Sequence, residues 1–286
     1  MESSAQDHIT ESDARAFEAE FRTRGYLASA STLITNHIRK SFPDTFKLAE
    51  EMNGLAQRFY TEQTELLKGR SSHDPLCVAI QIVPRALSSF QGAIILAERG
   101  MNTEALTLVR SIYECGFWIG YLHESPDAAR DDFFADTIKN EIKVREIVKG
   151  LPFIEAEPAA SYVLEIDQLR VEAKKYTRRP PDIKTVSDNS GFGDRYAEYR
   201  RLCGMAAHTS LTSIMQYISF EQDGTFKGHV IGPNETEVPN TLGFALGAMM
   251  IVIEAFRRAT RCADFDDEFG RSMDRYVQLM GAEFRK

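Results

Sequence analysis

Apolar residues recur at three- and four-residue spacing along nearly the whole chain, the pattern of helices that each bury one face. Residues 12–40 read as one or two amphipathic helices broken near Gly25. Asp44 is placed to cap a helix running to about Lys68, ahead of the break KGRSSHDP. Residues 76–98 form an apolar helix that Pro84 should kink. The short turn RGMN leads into a second long helix, Thr103 to about His123, with Asn102 as its N-cap. So short a turn predicts an antiparallel helical hairpin.

The next helix is well punctuated: Ser125 caps it, Pro126 takes its first position, and Gly150 and Pro152 end it. Residues 157–176 form another. TRRPPDIKTVSDNSGFGD (177–194) is the only long irregular segment, a kind of loop that often serves function. A helix follows from about Arg195 to Tyr217, then a hairpin turning at Asp223-Gly224, then helices at about 239–261 and 266–284. The prediction is a predominantly all-α fold, a bundle of about seven or eight helices with a small β-hairpin. It divides into an N-terminal helical arm (1–70) and a bundle domain (71–286) that carries the candidate chemistry.

Composition narrows the function classes. The net charge of −8 gives no global attraction to nucleic acid, so contact with RNA would need a local basic patch. The four cysteines (Cys77, Cys115, Cys203, Cys262) are isolated, which fits reduced thiols in a cytoplasm rather than a disulfide framework or zinc ribbon. The N-terminus is acidic and polar, unlike a signal peptide. The most apolar run, TLGFALGAMMIVIEAF (241–256), is shorter than a bilayer span and interrupted by Glu254, so it reads as a core helix. A cytoplasmic protein without membrane association is the expectation.

Phosphate-loop, dinucleotide, zincin and nucleophile-elbow motifs are absent. Two helices hold the interest. In EALTLVRSIYECGFWIGYL (104–122), Arg110 and Glu114 share one face of a helix apolar on most sides. Charge buried there needs partners, so the pair is either an internal lock or part of a site. In YRRLCGMAAHTS (199–210), Arg201 and His208 are seven apart, two turns of an unbroken helix, with small residues between them. A guanidinium holds phosphate, and an imidazole exchanges a proton near neutral pH, which suits metal-free phosphodiester cleavage. Lys174, Lys175, Arg178, Arg179 and Lys184 precede this helix as either a solvated edge or a phosphate contact.

These two segments together resemble the DUF5677 family of uncharacterised bacterial helical proteins. Leu108, Arg110, Ser111 and Glu114 match one of its motifs, and Tyr199, Arg200 and His208 match the other, with Cys203 or Gly204 where a serine is usual. The resemblance covers roughly residues 75–260. The motif pair is in turn similar to that of HEPN domains, many of which cleave RNA without metal across a dimer interface. It implies a homodimeric, HEPN-like protein acting on RNA in bacterial defence or toxin systems, with no cofactor and no metal. In that reading His208, Arg201, Glu114 and Arg110 are catalytic, and Arg200, Tyr199, Lys174, Lys175, Arg178 and Arg179 bind substrate. The alternative is a non-catalytic interaction or small-ligand module in which Arg110, Glu114 and His208 form a buried structural network. A metal site built from Glu114, His208 and His123 is a third reading, although no pair has helical ligand spacing.

Overall fold

The computed structural model describes residues 11–29, 31–152, 156–176, 180–207, 209–230 and 232–283. Among them the chain forms α1 (Glu11–Arg24), α2 (Ser31–Ser41), α3 (Pro43–Gln63), α4 (Pro75–Ala97), α5 (Asn102–Glu124) and α6 (Pro126–Lys149). It continues with α7 (Ala156–Ala173), α8 (Ile183–Asp188), α9 (Tyr196–Leu202) and α10 (Leu211–Met215). Strands β1 (Ile218–Phe220) and β2 (Phe226–His229) then precede α11 (Val238–Thr260) and α12 (Asp266–Glu283). The seven long helices α3–α7, α11 and α12 make the predicted bundle, α1 and α2 precede it, and α8–α10 are short connecting pieces. β1 and β2 pair antiparallel, Ile218 opposite His229, as the Asp223-Gly224 turn implies.

α5 is the central element, packed between α4 and α11. Its Val109, Ile112, Phe117 and Ile119 are fully buried, which explains why its sequence is apolar on most sides. Gly116 allows the close approach to α11, since a side chain there would meet Ile251 at 2.8 Å. The core also crosses residue 70: Phe46, Leu48, Met52, Leu55 and Phe59 of α3 join the same cluster as α4, α5 and α11. α4 and α11, each of 23 residues, are long and apolar enough to cross a membrane by length and composition alone. In this fold 67% of the most apolar window of α11 is buried, and 50% of that of α4.

Local differences from the expected elements have identifiable causes. Asp74, the last residue before Pro75, caps α4 by accepting from the Leu76 amide at 2.8 Å. Asn102 is not a cap but the first residue of α5; it is buried and donates to the carbonyls of Gly100 and Asn234. Asp44 lies inside the first turn of α3, behind Pro43. The long loop is partly ordered by Asp182, which caps α8 through the Thr185 amide.

The largest difference concerns the expected helix from Arg195 to Tyr217. It is divided into a short 3-10 turn (Gly193–Arg195), α9, a π-helical turn (Cys203–Ala207) and α10. Ser210 starts α10 with a reciprocal cap: it accepts from the Ser213 amide at 3.2 Å while its own amide donates to the Ser213 hydroxyl at 2.8 Å. The two-turn α-helical spacing from Arg201 to His208 is therefore not the geometry of this segment, because a π turn intervenes. His208 itself, with Arg178 and Arg179, lies outside the described residues.

Candidate functional site

Two neighbouring constellations occupy the space between α5 and α9. The first is a closed triangle. Arg110 Nη1 donates to Glu114 one turn later, as their spacing predicts, and to the Tyr199 hydroxyl at 2.9 Å. The Tyr199 hydroxyl donates in turn to Glu114 Oε1 at 2.8 Å. Tyr199 is 4% exposed, and the Arg110 guanidinium also faces its ring, 5.7 Å from the centroid. Burial, then the negative charge of Glu114 and the bond to it, raise the Tyr199 phenol well above its ordinary value, so it stays a neutral donor. Burial works against the charged Arg110, but Glu114 and Tyr199 more than compensate and its pKa is raised. Each charged group here has its partner inside the triangle, and the result clamps α9 to α5. Thr107 adds a second tie by donating to the Ala206 carbonyl of the π turn at 3.1 Å.

The second constellation is a cavity of about 930 Å³ on the adjoining face of α9. Its wall is drawn from the N-terminal half of α5, from α9 and the π turn, from Gln216 and Tyr217 after α10, and from α11 and α12. Gly100, with φ +73°, makes the rim possible: a side chain there would strike Pro233 and Asn234 at under 3 Å. One side of the wall carries a satisfied network, in which Tyr113 donates to Glu198 at 2.7 Å and Arg195 pairs with Glu198 at 3.1 Å. Burial, followed by the charge of Glu198, pushes the Tyr113 phenol far above its ordinary value. At the rim, Tyr26 donates to the Gly232 carbonyl at 2.6 Å, and burial followed by the charge of Glu104 pushes its phenol up to about 12.

Not every polar group in this wall is satisfied. Thr241, 1% exposed, and Asn102, 7% exposed, each keep a buried oxygen (Oγ1 and Oδ1) without a hydrogen-bond partner. Arg201 lines the same cavity, its guanidinium 5.6 Å from the Phe244 ring centroid, and no described carboxylate pairs with it.

The structure thus brings Arg110, Glu114 and Tyr199 together and turns Arg201 to the other side of α9. Arg200 is exposed and has no ion pair among the described residues. Lys174 and Lys175 are exposed beyond α7; Lys175 is 4.0 Å from Glu172. The adjoining Tyr176 stacks on Phe134 of α6, whose neighbour Phe133 packs on Trp118. Trp118 is about 18 Å along α5 from Leu106 in the cavity wall, so these lysines do not adjoin Arg201. Lys184 pairs with Asp188 and faces the Tyr196 ring. No group of three or more metal-ligating side chains is gathered among the described residues.

Sequence reasoning passed over Glu198, Thr241 and Phe244. A threonine inside the apolar run 241–256 was the one local signal; the others join the site only through tertiary packing.

No curated protein and no solved structure matches this chain. A family described as being of unknown function, DUF5677, matches residues 76–226, which include α4 to α10 and with them the Arg110–Glu114–Tyr199 triangle and Arg201. With more than half of its length matched, the chain belongs to the DUF5677 family.

Proposed function

We propose that this chain is a helical small-ligand-binding module whose site is the cavity between α5, α9 and α11. The observation that carries the reading is a cavity of about 930 Å³ lined by aromatic rings and by Arg201, a guanidinium without an ion pair among the described residues. The volume falls within the range of small-molecule sites, and the lining mixes aromatic surface with a few placed polar groups. In this reading the Arg110–Glu114–Tyr199 triangle is a structural lock that holds one wall in place.

The test is ligand-observed NMR with a fragment library on the full chain and on Met205→Trp, which fills the cavity from the π turn. We expect fragments that bind the native chain and lose binding to a variant with an unchanged circular dichroism spectrum. Equal binding to both, or binding to neither, contradicts the reading.

A specific observation favours a second reading, metal-independent RNA cleavage of the HEPN-like kind in bacterial defence. Arg200 and Arg201 are exposed, lack carboxylate partners among the described residues, and precede His208 across an irregular turn of the sort that re-aims side chains. Arg201 would hold a phosphate and His208 would move the proton. RNA incubated with the protein in EDTA should then be cleaved by the native chain and spared by Arg201→Ala and His208→Ala. No cleavage, or equal cleavage by all three, contradicts it.

A further inference from the structure

The charges in the cavity wall are sorted in a way that specifies a class of ligand, given the ligand-binding reading above. Arg195 and Glu198 neutralise each other at 3.1 Å. Arg201 has no carboxylate among the described residues, and two carboxylates of the same wall, Glu104 and Glu237, have no cation. Their recorded partners are neutral: the Tyr217 hydroxyl donates to Glu104 at 3.1 Å, and the Asn240 amide donates to Glu237 at 3.2 Å. Glu237 also stands apart from Arg201 along α11. Glu237 is the N-cap of α11, and Phe244, over which Arg201 lies, is seven residues further along the same face. Seven residues are two turns, about 10 Å. The same wall also offers the apolar surface of Met205, Leu106 and the Phe244 ring.

A simple anion would gain Arg201 but meet two carboxylates, and a simple cation would meet the reverse. We propose that the cavity binds a linear zwitterion, an ω-amino-acid-like molecule whose anionic end contacts Arg201 and whose ammonium end faces Glu237 and Glu104. An aliphatic stem crosses the apolar stretch. An α-amino acid alone is too short, because its two charges share one carbon.

Calorimetric titration of the full chain at fixed ionic strength, with four six-carbon probes, tests this: ε-aminocaproate, caproate, hexylamine and hexanol. ε-Aminocaproate is expected to bind at least tenfold more tightly than either singly charged probe, the size of one charge-assisted hydrogen bond. Arg201→Gln should abolish its advantage over hexylamine, and the Glu104→Gln/Glu237→Gln double variant its advantage over caproate. Caproate or hexanol binding as tightly as the zwitterion overturns the charge assignment and leaves the cavity a ligand site. Binding by none of the four, while fragments remain sensitive to Met205→Trp, overturns it as well. If the fragments are also insensitive, the ligand-binding reading itself falls.

Discussion

Tyr199 joins three functions in one hydroxyl: it accepts from Arg110, donates to Glu114 and closes the gap between α5 and α9. Removing that oxygen leaves the two charged groups with each other alone. Tyr199→Phe is therefore expected to cost about 1–2 kcal/mol in urea unfolding, with an unchanged m-value. The tyrosines also set an alkaline limit. Burial and nearby carboxylates raise Tyr199 and Tyr113 above the ordinary value of 10.0 in the folded chain. Their contribution is complete below pH 10 and is lost as pH rises, because only the unfolded chain then releases these protons readily. The melting temperature should fall steeply above pH 10, and less steeply in Tyr113→Phe/Tyr199→Phe. Equal slopes would contradict the account. At this scale the sequence was informative about Arg110 and Glu114, since four-residue spacing on one helix fixes the pair. It could not show that Tyr199, 85 positions away, completes the triangle.

Among the elements, the π turn Cys203–Ala207 matters most, because it decides which way the residues of YRRLCGMAAHTS face. Periodicity alone made this segment one helix, since Tyr196, Tyr199, Cys203, Ala207 and Ile214 fall on one apolar stripe. Two features break it. Gly204 has no tertiary contact within 4 Å of a would-be side chain, and Ser210 both caps α10 and donates to the Gly204 carbonyl at 2.9 Å. The cap pairs serine with serine instead of glutamate, so the usual capping-box signature gave no warning. Ser210→Ala should cost about 1 kcal/mol and loosen α10. Hydrogen exchange checks this, with faster exchange expected at Leu211–Met215 and little change in α4. The long uniform helices were legible for the opposite reason: α11 and α12 carry strong periodicity and clear ends, and their expected bounds differ from the observed ones by about a residue.

The whole molecule is organised around α5, whose two halves do different work. The second half is locked against the long loop at Gly120, where a side chain would lie 2.4 Å from the Ser190 carbonyl and 3.1 Å from the Phe192 ring. Gly120→Ala should destabilise the fold by about 1–3 kcal/mol, read as a lower melting temperature. The first half leaves a cavity, because α9, the π turn, α11 and α12 converge there without filling the space. Fold class and helix order were legible from the hydrophobic pattern, whereas the cavity was not, since its wall gathers residues from Tyr26 to Met280. The central claim is that this cavity is a ligand site anchored by Arg201. Its most direct test is calorimetric titration of native chain, Arg201→Gln and Met205→Trp with ε-aminocaproate. The account predicts saturable binding to the native chain, at least tenfold weaker binding to Arg201→Gln, and none to Met205→Trp. Indistinguishable isotherms for the three proteins would contradict it.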